Sequence, residues 1–195
     1  MRLSASASLP ALVLLACASA PSPTSRVVDG RRVVGPAASP RAYAHYLAAR
    51  LESERGRPKA AVADLREAVL SDSRSAFLHL RLAEELARAG EVDDAESEAR
   101  MAIELEPSFG ETHRVLGALR WRAHDPAQAE AAYREAIRLD PDDEIARLDL
   151  GEVLEGIGDL ARAGVEYAEL LARFPQSERG RARIEAVRAR RVGRR

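Results

Sequence analysis

Small and apolar residues recur along the chain with a period of 34 residues between residues 42 and 177. When Gly110 is taken as a first position, the repeating units are 42–75, 76–109, 110–143 and 144–177, with no insertion between them. The eighth position is small in all units, the twentieth is alanine, and leucine fills the seventh in the last three. These residues are Ala49, Ala83, Gly117 and Gly151; Ala61, Ala95, Ala129 and Ala163; and Leu82, Leu116 and Leu150. A fixed period of this length indicates a repeat architecture.

Each unit predicts two helices joined by a tight turn. Glycine, replaced by His124 in the third unit, stands where the first helix should end, and glycine adopts the left-handed conformation that ends helices. Proline follows the second helix in the last three units and prevents its continuation. Small residues let paired helices approach to about 8–10 Å. The pattern therefore predicts four helical hairpins, the first starting at Ser39 and Pro40.

The last three units strongly resemble tetratricopeptide repeats, as the third unit illustrates. The matching residues there are Gly117, Ala129, Tyr133, Ala136 and Pro141. The first unit matches less well, because Ala48 replaces the usual core leucine. The resemblance implies an all-α fold, a right-handed α-solenoid of four tetratricopeptide helix hairpins over residues 40–177. Residues 178–195 are expected to form a capping helix and an Arg-rich tail, because a solenoid needs a terminal helix over its open face.

Composition and charge change this picture only at the C-terminal end. Alanine, leucine, arginine and glutamate dominate, which favours helix throughout. The formal net charge is −1, which gives no general argument for nucleic acid as a partner. The last 18 residues, however, hold eight arginines and two glutamates. This tail could contact an anionic surface, or it could be a solvated end of the capping helix.

Residues 1–17 are typical of an export signal. Arg2 gives a basic start, and the apolar run from Leu9 to Ala16 is too short to span a bilayer as a helix. The run ends Leu14-Leu15-Ala16-Cys17, which resembles the lipobox of bacterial lipoproteins. The resemblance implies a lipoprotein signal peptide and lipid attachment at Cys17. Acyl chains there would anchor the chain, since each buried CH₂ contributes roughly 0.8 kcal/mol.

The residues after Cys17 suggest where such a lipoprotein goes. No aspartate follows the cysteine, and in double-membraned bacteria this pattern resembles lipoproteins sent to the outer membrane. We therefore expect a location in the cell envelope, lipid-anchored in the inner leaflet of the outer membrane and facing the periplasm. Two alternatives are a cleaved signal with an incidental cysteine and an unprocessed cytosolic chain. Cys17 is the only cysteine, so a disulfide within the chain is excluded.

Residues 18–39 are expected to be a flexible tether, because they are rich in proline, serine, alanine and glycine. A small hairpin around Asp29-Gly30 is the alternative for residues 27–34. An isolated two-stranded hairpin is only marginally stable.

The sequence offers little catalytic chemistry. His45, His79 and His113 share the fourth position of successive units, on helices about 8–10 Å apart, too far to share an ion with bonds of about 2.0–2.1 Å. We interpret them as packing residues and predict no metal and no cofactor. No nucleophile elbow, His-Glu-x-x-His or phosphate-binding loop occurs, so we predict that the protein is not an enzyme. An accessory subunit that completes another enzyme's active site remains an alternative.

The resemblance also implies a concave groove lined by the second, fifth, ninth, twelfth and thirteenth positions of each first helix. Aromatic and arginine side chains are frequent anchors of protein interfaces. The predicted protein-binding groove residues are Tyr43, Tyr46, Arg50, Phe77, Leu80, Glu84, Arg88, Glu111, Arg114, Trp121, Arg122, Leu148 and Glu152. Tyr43 and Tyr46 could instead pack under the tether. The clamp by which chaperone-binding members hold a carboxylate is absent, since its positions hold Tyr46, Arg50, Glu111 and Val115.

These observations predict a non-catalytic protein–protein interaction scaffold, held at the periplasmic face of a bacterial membrane by acylated Cys17, that assembles or positions an envelope complex. Its layout resembles pilotins of type IV pili and adaptors of cell-wall enzymes, and the sequence does not separate the two. The alternative function is a soluble scaffold or co-chaperone without an acyl anchor.

Overall fold

A computed structural model describes residues 24–28, 31–35 and 39–192 of the 195-residue chain. Cys17 and the predicted signal peptide lie outside the described residues, as do residues 193–195. The N-terminal unit contains two antiparallel strands, β1 (Thr24–Val28) and β2 (Arg31–Gly35), in which Thr24 pairs with Gly35 and Val28 with Arg31. This agrees with the hairpin alternative, and part of the predicted tether therefore has regular structure.

Helices make up the second unit from Pro40 onward. They are α1 (Pro40–Glu54), α2 (Pro58–Ser71), α3 (Ala76–Ala89), α4 (Val92–Leu105), α5 (Gly110–Arg122), α6 (Pro126–Leu139), α7 (Glu144–Gly156), α8 (Leu160–Arg173) and α9 (Glu178–Val192). The first eight pair as four hairpins, and the second helix of every unit starts at its seventeenth position. The expected all-α helical repeat fold is confirmed. Within the described ranges, no helix is both long and apolar enough to cross a membrane.

Local signals set the ends of these helices. The Ser39 side chain accepts a hydrogen bond from the Ala42 amide at the start of α1, and Asp143 does the same for α7. Every turn between paired helices contains one residue in the left-handed region: Gly56, Gly90, His124 and Gly158, with φ between 58° and 88°. His124 is exposed and adopts the conformation that glycine adopts elsewhere. The turn geometry is therefore the same in all four units despite this substitution.

Helix pairs pack closely through the recurring small residues. The alanines at the twentieth position are fully buried, as are Ala68, Ala102 and Ala136 at the twenty-seventh. In the last two units a glycine at the eighth position faces a tyrosine. A β-carbon added at Gly117 would lie 3.0 Å from the Tyr133 ring, and one at Gly151 would lie 2.6 Å from Cζ of Tyr167. Glycine thus makes room for the larger buried ring.

Two details differ from the sequence expectation. Leu116 is only half-buried, whereas Leu82 and Leu150 at the same position are buried in the core. The capping helix α9 occupies the place of the first helix of a fifth unit, packing on α8 through buried Ile184 and Val187. Its eighth position, small in every other unit, is the exposed Glu185. A further second helix would meet a charged side chain there, so α9 ends the array.

We predict that Gly151→Ala destabilises the protein although alanine is the better helix former. Overpacking against Tyr167 costs about 1–3 kcal/mol, and the gain in helix propensity is at most about 1 kcal/mol. The matched control is Gly164→Ala in α8, where the new β-carbon would lie 3.6 Å from Val187, an ordinary contact. In urea unfolding we expect Gly151→Ala to lose about 1–2 kcal/mol and the control to lose nothing. Equal stability of both variants would contradict this packing.

Candidate functional site

The candidate site is the face formed by the first helices of successive units. Helix α3 contacts α5, α5 contacts α7, and α7 contacts α9, whereas no comparable contact joins successive second helices among the described residues. The array therefore curves toward its first helices. We call the inner face formed by α1, α3, α5, α7 and α9 the groove.

Eight of the thirteen predicted groove residues reach the surface. Tyr43 is 51% exposed and Trp121 is 36% exposed. The others are Arg50, Glu84, Arg88, Arg114, Arg122 and Glu152. Ile145, at the second position of the fourth unit, adds an exposed apolar side chain. These are the side chains that a partner in the groove can touch.

Five predicted groove residues are buried, which corrects their assignment to the wall of the groove. They are Tyr46, Phe77, Leu80, Glu111 and Leu148. The Tyr46 and Phe77 rings meet edge to face with centroids 5.2 Å apart, and the Arg81 guanidinium lies 4.9 Å from the Phe77 centroid. The fifth position lies between neighbouring first helices. At that position Tyr46, Leu80 and Leu148 hold those helices together and offer a partner little or no surface, whereas Arg114 in the third unit stays partly accessible.

A chain of ion pairs crosses the middle of the groove. Arg81 on α3 donates hydrogen bonds to Glu84 at 2.6 Å and to Glu111 on α5 at 3.3 Å. Arg114 donates to Glu111 at 3.4 Å, and its Nε lies 3.5 Å from Asp143 at the start of α7. The pairs thus connect three first helices. Partly buried charges that are paired with one another are poorly available to a ligand.

Asp149 on α7 is an acidic group in an unfavourable environment beside this chain of ion pairs. Burial raises its pKa from 3.8 to about 6, and Glu152 and Asp143 add to the rise, although Arg114 and Arg179 oppose it. The neighbouring Tyr133 hydroxyl is hydrogen-bonded to Asp149, and burial raises the pKa of Tyr133 as well. Asp149 therefore carries a charge at neutral pH that the fold disfavours.

One edge of the groove is tied together by a repeated contact. A thirteenth-position arginine reaches the twelfth position of the preceding unit, 35 residues earlier. Arg88 donates to the Ser53 hydroxyl at 3.0 Å, and Arg122 donates to the Ala87 carbonyl at 3.0 Å. On α9, Arg190 follows the same rule and donates to Glu155 at 2.9 Å. These contacts fix each first helix to the previous one.

The fourth unit reverses this contact. Its thirteenth position is Gly156, which has no side chain to extend toward Trp121, the twelfth position of the third unit. Instead the Trp121 ring lies over the glycine, so that a β-carbon added there would be 2.7 Å from Cζ2. The indole is therefore held against α7 on one side and open to solvent on the other.

At the C-terminal end of the groove, arginines of α9 pair with carboxylates of the fourth unit. Arg183 donates to Glu152 at 2.6 Å. Glu155 accepts hydrogen bonds from both Arg190 at 2.9 Å and the Tyr167 hydroxyl at 2.7 Å. Part of the Arg-rich C-terminal helix thus pairs with groove carboxylates of this chain.

The histidines of the fourth position each have a separate partner. His79 contacts Glu98 at 2.6 Å and the Ser73 carbonyl at 3.1 Å. Burial by itself would lower the pKa of His79, but these two contacts outweigh it and the pKa is raised. His45 faces Asp64 at 3.8 Å, and His113 contacts a backbone carbonyl. The histidines therefore tie their helices to neighbouring segments.

The groove residues that the sequence analysis missed are Arg81, Asp149 and Arg183. All three occupy the sixth position of their units, which was absent from the predicted lining. The sequence does contain a signal for them: the sixth position is charged in these units, whereas it is apolar, Leu47 or Val115, in the other two.

Comparisons with known proteins agree with this architecture. A family model described as tetratricopeptide repeat (TPR) matches residues 46–108 and 114–178. The comparison with curated protein sequences gave no significant match.

Solved structures of repeat proteins are similar to the chain. TTC0263, a thermophilic TPR protein in Thermus thermophilus, aligns with TM-score 0.68 and 22% identity over 75% of this chain and 80% of its own. YrrB, a TPR protein with an unusual peptide-binding site, gives 0.60 and 20%, covering 78% and 79%. The first TPR of Spaghetti (RPAP3), bound to HSP90 peptide SRMEEVD, gives 0.58 and 19%, covering 60% and 94%. At these identities the likeness shows the fold alone.

We predict that Asp149→Asn stabilises the protein more at pH 8 than at pH 4.5. Because the pKa of Asp149 is raised in the folded state, folding favours the protonated acid, and this contribution is lost as pH rises through about 6. Asparagine removes that loss, by on the order of 1–2 kcal/mol at pH 8. Urea unfolding at both pH values measures the effect. The control Asp142→Asn, at an exposed carboxylate, should change little; equal effects of Asp149→Asn at both pH values would refute the prediction.

Proposed function

Because the chain belongs to the tetratricopeptide repeat family, we propose that it is a non-catalytic scaffold that binds a protein or peptide partner in its groove. The support from solved structures lies in what two of them bind. YrrB has a peptide-binding site, and the first TPR of RPAP3 is bound to an HSP90 peptide. A groove of packed first helices offers a rigid surface for an extended segment.

The observation that carries this proposal is the exposed edge around Trp121. The indole lies on Gly156 and is open to solvent on its other side. Arg122 beside it is exposed, and the contact that positions it is a backbone carbonyl at 3.0 Å. In the middle of the groove, by contrast, charges pair with each other. An aromatic surface beside a guanidinium is a frequent anchor combination in protein interfaces.

We further propose that Cys17 carries the acyl anchor and that the scaffold works at the periplasmic face of the outer membrane of a bacterial envelope. The support is the sequence Leu14-Leu15-Ala16-Cys17 after a short basic and apolar start. The role is to assemble or position an envelope complex, as a pilotin-like protein or an adaptor of a cell-wall enzyme. The second candidate is a soluble scaffold or co-chaperone, which uses the same groove without the anchor.

We predict that Trp121→Ala weakens partner binding at least about tenfold, because it removes the exposed aromatic surface at the groove edge. The matched control is Val165→Ala on α8, which truncates a side chain that is 56% exposed on a second helix. Partners are captured from detergent-solubilised envelopes by photo-crosslinkers placed next to each position, and their affinity for each purified variant is then measured.

Both variants should keep wild-type helicity by circular dichroism. Loss of binding by Val165→Ala and not by Trp121→Ala would move the partner to the outer face. Wild-type binding by both variants would show that the groove edge does not bind the partner.

We predict that Cys17→Ala releases the protein from the membrane fraction. The wild-type chain should carry the mass of its acyl chains at Cys17 and sediment with membranes, since several buried acyl chains give durable attachment. Fractionation and mass spectrometry of both proteins measure this. A wild-type chain that is soluble and lacks acyl mass would favour the soluble scaffold.

A further inference from the structure

The first helix exposes an apolar stripe that begins at the groove residue Tyr43 and continues along α1. Leu47 is 40% exposed and Leu51 is 52% exposed, and Tyr43, one turn earlier, is 51% exposed. Residues at spacings of four lie on one side of a helix. The three side chains therefore form one continuous surface along α1.

The part of this surface around Leu51 is covered in the later units. The tenth position, Leu51 in α1, is buried at Glu85, Leu119, Val153 and Val187. Each later first helix packs against the second helix of the preceding unit, but α1 has no preceding unit in the array. The stripe is thus a packing surface for which the array provides no cover.

Charge distinguishes this end of the array from its middle. Residues 40–59 contain five basic residues against two acidic ones, whereas residues 60–177 contain 13 basic residues against 26 acidic ones. Arg41, Arg50 and Arg55 on or next to α1 are exposed. An anionic surface would therefore attract the α1 end and repel the middle of the array.

The stripe is also the part of the array closest along the chain to Cys17. The segment from Cys17 to Pro40 spans at most about 80 Å when fully extended. We propose that the stripe of Tyr43, Leu47 and Leu51, with the adjacent arginines, docks on the anionic surface of the membrane that holds Cys17. This inference rests on the proposed anchoring. Apolar side chains that enter the headgroup boundary, flanked by arginine, are the features by which surface helices bind bilayers.

The test places a fluorescent probe in the stripe of the full acylated chain. Leu51→Trp is made in a Trp121→Phe background, so that position 51 holds the single tryptophan. The control carries Val165→Trp in the same background, because Val165 is equally exposed but lies on α8. Both proteins are reconstituted into vesicles of phosphatidylglycerol or phosphatidylcholine, with and without brominated acyl chains, which quench tryptophan that reaches them.

We expect bromination of phosphatidylglycerol to reduce fluorescence at position 51 at least about twofold, with a smaller effect in phosphatidylcholine and none at position 165. An acylated protein with no quenching at position 51, or with equal quenching at both positions, overturns the docking and leaves the anchoring intact. If position 51 is shielded from aqueous iodide in the absence of vesicles, the membrane docking is also overturned. The stripe is then covered by protein, such as a second copy of the chain. A chain without acyl mass overturns the proposed anchoring, and the docking with it.

Discussion

The close approach of two helices within each hairpin is the constraint on which the structure depends. It requires almost no side chain where the helices cross, and the buried alanines at the twentieth position meet this requirement in all four units. At the eighth position two solutions occur. The first two units combine alanine there with Leu65 or Ala99 at the twenty-fourth position, and in the last two units glycine faces Tyr133 or Tyr167. In the last two units the missing side chain of glycine leaves room for the larger tyrosine ring. The paired helices can therefore pack in the same register from α1 to α8.

That register determines which charged side chains pair within the protein and which remain accessible to a partner. Because first helices lie side by side, residues in different units meet at fixed offsets, and many arginines connect helices instead of presenting their charge to a partner. Arg88, Arg122 and Arg190 each bind the preceding unit, while Arg81 and Arg114 hold the buried Glu111 between α3 and α5. A count of charges along the groove therefore overstates what a partner meets. The accessible chemistry is concentrated at the edge, around Trp121 and Arg122.

The repeat fold could be predicted well from the sequence because the signals for it are local. Period, turn glycines and small residues each act within one hairpin. The residues that line the groove were predicted less well, because the burial of each side chain depends on the neighbouring unit. The fifth position holds buried Tyr46, Leu80 and Leu148 in three units, yet in the third unit it holds Arg114, which forms ion pairs and stays partly accessible. The contact of Trp121 with Gly156 had no signal in either unit alone. It follows from a 35-residue offset between helices that only the assembled array brings together.

The two ends of the array have opposite character, and this gives the molecule a direction. At α9 the position that must be small for a further helix is the exposed Glu185, and the arginines of that helix pair with Glu152 and Glu155 of the fourth unit. At α1 the corresponding packing surface is apolar and exposed. A repeat array that only needed to be soluble would have polar surfaces at both ends. Leucines at one end alone indicate that this end meets another surface, while the groove edge near the other end stays open to a partner.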